Sequence, residues 1–430
     1  MIPPVVDLTW WQARREAVVL ADVRWYLDGR SGRAAYDAGH LPGAVFVDLD
    51  RWLAAHGSPA AGRHPLPEPE VFAEGMASLG IGDDDTVIAY DDGGGVTAAR
   101  LVWMLRATGH EAALLDGGLP AFDGPLETSV LDRAHATFTP RPWPVERLAD
   151  VEDASNPINV VLDARDAARF RGEIEPIDAR AGHIPGARNV PTREHLGEDG
   201  RFLPIEALRA RFAAAGVTDD SPVVSYCGSG VTACHNLLAL EHAGFGPGRL
   251  YPGSWSQYSS DPARPVATGG AVTVEPATPA DHARIGEMTV DGYVSDGLAP
   301  ERYLPHLADV TGRAKVAEIL VAREADGRIV GAVALVLAGD FGEVLEFDEE
   351  AAFRMLAVDP AARGRGIGEL LVRACMTRAR AAGKRRMVLS TDARMAAAHR
   401  LYERLGFTRL PERDWSPLPG VDLLVYQREL

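Results

Sequence analysis

The feature that most restricts how this 430-residue chain can fold is a long internal repeat. An apolar run ending in Asp-x-Arg occurs as Val18-Val19-Leu20-Ala21-Asp22-Val23-Arg24 and again as Val160-Val161-Leu162-Asp163-Ala164-Arg165. Gly39-His40-Leu41-Pro42-Gly43-Ala44 is answered by Gly182-His183-Ile184-Pro185-Gly186-Ala187. A second apolar run, Thr86 to Tyr90, is answered by Pro222 to Tyr226, and Leu114-Leu115-Asp116-Gly117-Gly118 by Leu250-Tyr251-Pro252-Gly253-Ser254. The offset stays between 136 and 143 residues, which marks a duplicated domain and not a short solenoid unit. Within each copy, short β-branched runs alternate with helical patterns such as Ala98 to Thr108 and Ala233 to Ala243. That alternation predicts an α/β architecture of two doubly wound parallel-sheet domains, with ligands beyond the carboxyl ends of the strands. The loops after Tyr90 and Tyr226 are therefore the places to look.

After Tyr226 the chain reads Cys227-Gly228-Ser229-Gly230-Val231-Thr232-Ala233-Cys234 and then becomes helical. Glycines allow such a loop to turn its N–H groups inward as an anion cradle. The following helix N-terminus adds partial positive charge, which favours a thiolate or persulfide anion at the cysteine. Sulfur could then be stored on Cys227 between two half-reactions. Taken alone, the bland alternative is a buried apolar cysteine in a Gly-rich turn. Cys234, one turn into the helix, is expected in the core, with a resolving thiol as the minority reading.

Together, Asp-x-Arg, Gly-His-Ile-Pro-Gly-Ala, the six-residue loop Cys227 to Thr232 and Tyr251-Pro252-Gly253-Ser254-Trp255 resemble the tandem rhodanese and 3-mercaptopyruvate sulfurtransferase family over residues 5–270. The resemblance implies a ping-pong reaction in which sulfur passes from a donor to Cys227 and then to a thiophilic acceptor, a thiol or cyanide. It implies a substrate loop made of Gly228, Gly230, Val231 and Thr232, and a relay of Ser229, His64 and Asp50 that protonates a departing enolate. Arg169 matches the family's first substrate arginine. The second falls near Ile177, a departure for which Arg180 is a weak substitute. The neutral Gly228 and Ser229 after the cysteine favour 3-mercaptopyruvate, and thiosulfate stays open. Copy one carries Asp91-Asp92-Gly93-Gly94-Gly95 where Cys227 stands in copy two, so it reads as a silent partner that shapes the cleft. A phosphatase reading is disfavoured because the loop ends in Thr232 and not in arginine.

The segment Asp261 to Gly270 reads as a linker. Beyond it, the strand Phe353 to Asp359 ends at Pro360, followed by Arg363-Gly364-Arg365-Gly366-Ile367-Gly368 and an amphipathic helix from Glu369 to Ala382. Strand, Gly-rich turn and helix N-terminus form a pyrophosphate site by backbone N–H donation. The Arg-x-x-Gly-x-Gly spacing and Leu401-Tyr402-Glu403-Arg404-Leu405-Gly406-Phe407 resemble the GNAT N-acetyltransferase superfamily over residues 272–430. The resemblance implies acetyl-CoA held by Leu356, Val358 and residues 363–368, with Tyr402 protonating the CoA thiolate. Met395 stands where that family often has asparagine. The amine acceptor is open. Glu346, Glu349 and Glu350 are read as a solvated acidic loop, and Cys375 as core. A non-catalytic CoA-sensing module beside a thiosulfate-preferring rhodanese is the alternative for the whole chain.

Composition excludes other classes. The formal net charge of −17 argues against nucleic-acid binding, and most of it falls on residues 1–270. Apolar runs are too short to span a bilayer. Three cysteines cannot build a disulfide framework, and no Cys/His cluster has zinc-ligand spacing, so no metal is expected. No secretion signal is visible at the N-terminus, and a cytoplasmic location is expected. The expected domains are 1–130 (silent), 131–265 (active cysteine) and 272–430 (acyltransferase-like).

Overall fold

The computed structural model describes all residues except 1, 132, 296, 298–300, 325, 340–343 and 419–420. It forms two compact units, one of residues 1–155 and 159–264, the other of residues 156–158 and 265–430. The boundary after Arg264 falls inside the segment read as a linker.

In the first unit, copy one builds a parallel sheet from β1 (Val5–Val6), β2 (Val18–Asp22), β3 (Ala44–Phe46), β4 (Thr86–Tyr90) and β5 (Ala112–Leu115), in the order β1-β5-β4-β2-β3. Copy two builds β6 (Val160–Asp163), β7 (Arg188–Asn189), β8 (Val223–Tyr226) and β9 (Arg249–Leu250), in the order β7-β6-β8-β9, again parallel. The strands are buried on both faces, which is why they read as continuous apolar runs.

The repeated motifs are repeated contacts. Arg24 is buried against Asp22 (2.7 Å) and donates to the Gly39 carbonyl (2.8 Å); Arg165 does the same with Asp163 (2.6 Å) and Gly182 (2.7 Å). Asp-x-Arg thus ties a strand end to the Gly-His-x-Pro turn. In each copy that turn is also fixed by the tyrosine ending the neighbouring strand: the Leu41 amide donates to the Tyr90 hydroxyl, and the Ile184 amide to the Tyr226 hydroxyl. His40 stacks on Tyr36 and His183 on Phe170.

Helices Ala98–Ala107 and Thr232–His242 join the copies, and one hydrophobic cluster runs through both, including Leu101, Trp103, Ala233 and Leu237. Polar contacts cross this seam, among them an ion pair between Arg106 and Glu241. Arg100 reaches the Gly230 carbonyl of copy two, and His235 reaches the Gly94 carbonyl of copy one at 3.1 Å.

The second unit is one mixed sheet of β10 (Val272–Pro276), β11 (Glu318–Glu324), β12 (Ile329–Val336), β13 (Glu350–Val358), β14 (Arg386–Asp392), β15 (Thr408–Arg409), β16 (Trp415–Leu418) and β17 (Val421–Glu429). β13 pairs with β14 in parallel only through Glu350 to Ala352. Beyond that, the ladder between β12 and β13 shifts register, and Met355 takes a left-handed backbone (φ 51°), a conformation that costs energy for a side chain with a Cβ. β13 and β14 part there, and a cavity of about 200 Å³ opens between them, lined by Phe353, Leu356, Ser390, Tyr402 and Trp415. The solvated-loop reading fails for Glu350. It is 1% exposed and paired with Arg413 at 3.0 Å, while Glu346 and Glu349 are exposed. No described helix is long and apolar enough to cross a membrane.

Burial sets a pH limit on the first unit. Burial first of all lowers the pKa of His195 to about 3 and that of His235 to about 4, both from 6.5. The unfolded chain takes up these protons first, so their contribution is intact above pH 6.5 and drains away as pH falls towards 4. Thermal unfolding followed from pH 7 to pH 4.5 should show a falling midpoint. His235→Gln, which keeps a donor for Gly94, should flatten that slope.

Candidate active site

Cys227 leaves β8 with 2% of its surface exposed, and the Gly230 amide lies 3.1 Å from its Sγ. Its backbone is held by the Tyr-Pro-Gly-Ser segment. Ser254, buried and in a left-handed conformation (φ 52°), places its Oγ to accept from the Cys227 amide at 3.2 Å. The Trp255 and Ser256 amides cap the Cys227 and Gly228 carbonyls. Gly230 sits at φ 81°, where a Cβ would lie 2.6 Å from the Pro252 carbonyl oxygen, so the loop needs glycine there. Val231 is buried, and Thr232 opens the following helix. The Cys234 thiol donates to the Gly230 carbonyl, and burial pushes its pKa up to about 12; it supports the loop from the core side.

Copy one fills the matching loop with a carboxylate. Asp91, the residue after Tyr90, accepts from the amides of Gly93, Gly95, Thr97 and Ala98 and from the Thr97 hydroxyl, all within 3.0 Å. A carboxylate built into the chain fills the anion cradle that in copy two is left for sulfur. Asp92 lies outside it, exposed and bonded to the Tyr26 hydroxyl.

A cavity of about 410 Å³ lies above Cys227 and is lined by both copies. His64 Nδ1 is 2.8 Å from Ser229 Oγ, so that half of the relay is assembled. Its Nε2 is 3.9 Å from Asp50, too far for a hydrogen bond, and Asp50 instead accepts from the Trp25 indole at 2.9 Å. Burial, above all, lowers the His64 pKa to about 4 despite the nearby Asp50, so the ring is neutral at physiological pH.

Two guanidinium groups straddle Gly228. A methyl group there would lie 2.8 Å from Arg63 Nη2 and 3.7 Å from Arg169 Nη1. Arg169 is where the sequence places it, on the helix Ala167–Phe170. Arg63 was missed, because it comes from copy one. Ile177 lines the cavity as an apolar side chain. Arg180 is no substitute for a second arginine, since its guanidinium donates to the carbonyls of Tyr258, Ser259, Asp261 and Arg264. The loop itself is neutral, but the site is not without cations.

Arg100, 0% exposed, was also missed. Its three nitrogens donate to the carbonyls of Leu53, Gly230 and His64, linking the cysteine loop to the segment that carries the relay histidine.

Comparison with known proteins fits this geometry. A family model described as "Rhodanese-like domain" matches residues 8–124 and 146–261, and one described as "Acetyltransferase (GNAT) family" matches residues 286–407. The chain belongs to the rhodanese-type sulfurtransferase family. It is 45% identical over 269 residues to a Pseudomonas aeruginosa protein named "Probable 3-mercaptopyruvate sulfurtransferase", covering 59% of this chain and 93% of the relative. A mitochondrial thiosulfate/3-mercaptopyruvate sulfurtransferase of Arabidopsis thaliana is 32% identical over 299 residues, 61% of this chain and 78% of the relative. The crystal structure of a 3-mercaptopyruvate sulfotransferase from Escherichia coli superposes with a TM-score of 0.53 at 36% identity, over 59% of this chain and all of that one. The chain is a sulfurtransferase of the 3-mercaptopyruvate/thiosulfate type that carries a GNAT-family acetyltransferase domain.

In that domain, Gly364 (φ 79°) and Gly366 (φ 73°) turn the chain from β13 into the helix Ile367–Ala381. Helix geometry leaves the first N–H groups after Gly366, at Ile367 and Gly368, without intrahelical partners, a setting suited to the phosphates of an acyl-CoA. Arg365 is tied to Glu324 at 2.7 Å and to the Thr268 carbonyl, so it braces the loop. Leu356 lines the cavity where β13 and β14 part, and Val358 lies under Gly368. Tyr402 lines the same cavity at 4% exposure, and burial raises its pKa well above the usual tyrosine value, which keeps the phenol protonated. Cys375 is fully buried, as expected.

Replacing Arg100 by Ala strands three buried carbonyls and should destabilise the first unit by about 3 kcal/mol. Denaturant unfolding of the full chain checks this. Sulfur transfer should fall as well, because Gly230 and the His64 backbone lose a common anchor.

Proposed function

We propose that the first unit transfers sulfane sulfur from 3-mercaptopyruvate to a thiol or cyanide through a persulfide on Cys227. The observation that carries this reading is the convergence of the Cys227 cradle, the Ser229–His64 hydrogen bond and two guanidinium groups within one cavity. Arg63 and Arg169 hold the donor carboxylate beside Gly228 by charge-assisted hydrogen bonds. The Cys227 thiolate attacks the donor sulfur, an S–S bond forms, the C–S bond breaks, and the electron pair leaves as pyruvate enolate. Ser229 gives its proton to the enolate carbon. His64, in its Nδ1–H tautomer, reprotonates Ser229 and takes a proton from solvent at Nε2, beside Asp50. The acceptor then attacks the outer sulfur, leaving with it and restoring the Cys227 thiolate. Gly228, Gly230, Val231 and Thr232 shape the loop around both sulfurs.

Thiosulfate is the second reading, favoured by the same paired arginines, which suit a sulfonate as well as a carboxylate. In the second unit, we infer acetyl transfer from acetyl-CoA to an amine. Leu356, Val358 and residues Arg363, Gly364, Arg365, Gly366, Ile367 and Gly368 would hold the cofactor, and Tyr402 would protonate the departing thiolate. The alternative is a CoA-binding sensor without turnover.

Cys227→Ser should abolish transfer from every donor, and mass spectrometry should find the sulfur adduct on the wild-type chain alone. Wild-type activity in the variant would overturn the mechanism. kcat/KM should favour 3-mercaptopyruvate over thiosulfate. In the second unit, Tyr402→Phe should lower kcat for acetyl transfer about 10- to 100-fold with little change in acetyl-CoA KM. CoA binding without turnover on a broad amine panel would favour the sensor.

A further inference from the structure

The two arginines beside Gly228 share a carboxylate. Asp178, whose side chain is 3% exposed, pairs through Oδ1 with Arg63 and through Oδ2 with Arg169 at 3.0 Å. It holds both guanidinium groups at once through Arg63 Nη1 and Arg169 Nη2, while Arg63 Nη2 and Arg169 Nη1 lie nearest Gly228. Its neighbour Glu175 has a different task. Glu175 binds Arg169 at 2.7 Å and Arg165 at 3.2 Å and accepts from the Ile177 and Asp178 amides, so it shapes the loop from behind. Arg63 has no second carboxylate among the described residues within ion-pair distance. Its anchor on copy two is the bond from its amide to Ser256 Oγ at 3.0 Å.

We propose that Asp178 is a specificity-determining residue: a nearly buried counter-ion behind the Arg63–Arg169 clamp that neutralises it and so discriminates against dianionic donors. This role rests on the proposed use of the cavity as the donor site. Arg63, Arg169, Glu175 and Asp178 together carry no net charge. A monoanionic donor carboxylate meets Arg63 Nη2 and Arg169 Nη1 while Asp178 keeps its bonds to the other nitrogens. A dianion such as thiosulfate brings a second negative charge into a clamp already neutral, beside a nearly buried carboxylate, where like charges repel most strongly. Burial is the leading influence on the Asp178 carboxyl and raises its pKa, with Arg63 acting against it, as expected of a carboxylate that depends on these partners.

The test is Asp178→Asn in the full chain, which removes the charge and keeps the shape. Calorimetry should show sulfate affinity rising about tenfold and pyruvate affinity by less than about threefold, and kcat/KM with thiosulfate should rise by a similar factor relative to 3-mercaptopyruvate. Asp178→Glu should restore wild-type discrimination between the anions. Equal change in both anions, or equal loss with both donors, would overturn the proposal and leave Asp178 as scaffold. Anion binding is read without turnover. Failure of Cys227 to take sulfur would therefore refute the proposed reaction, while the sulfate-to-pyruvate ratio would still decide the role of Asp178.

Discussion

The first unit depends on one buried cation. Arg100 has no solvent exposure and no carboxylate bonded to it among the described residues; it spends its guanidinium on three backbone carbonyls. An arginine is suited to this because its planar fork presents several donors in fixed directions. One carbonyl lies in its own domain at Leu53, one in the segment bearing the relay histidine, and one in the cysteine loop. Geometry at Cys227 is therefore set by a residue of the copy that carries no nucleophile. That copy also brings Arg63 and His64 to the cavity above Cys227.

The duplication also shows one loop design carrying two different side chains. Both copies end a parallel strand in tyrosine, turn through glycines and start a helix, and both turns gather amide donors. Copy one answers those donors with Asp91; copy two leaves them near a sulfur atom. The matching Gly117-Gly118 and Gly253-Ser254 segments hold the two loops by the same backbone bond, from the Leu119 amide to the Asp91 carbonyl in copy one and from the Trp255 amide to the Cys227 carbonyl in copy two. Copy two adds a second bond, because Ser254 takes a left-handed backbone and its hydroxyl meets the Cys227 amide.

In the second unit, a local departure from regular sheet makes the cavity. Short pairing between β13 and β14, a register shift and a left-handed Met355 pull two strands apart, and Leu356 and Tyr402 face the gap. Glu350 shows the opposite lesson. An acidic run suggests solvent, yet Arg413 and Arg386 draw this one carboxylate into a buried pair.

The sequence by itself determined the duplication, the strand-loop-helix setting of Cys227, the aspartate in its place in copy one and the glycine turn of the acetyltransferase-type domain. These are local patterns, and a local pattern survives in one dimension. Ser229, His64 and Asp50 were also legible through resemblance, although the 3.9 Å gap between His64 and Asp50 was not. Tertiary structure alone decided the charge of the donor site. Arg63 lies 115 residues from Asp178, and Arg100 lies 130 from Gly230, so neither pairing has a signature in spacing. A loop that reads as neutral becomes a cationic clamp with its own counter-ion because side chains act by distance in space, and burial strengthens what they do there.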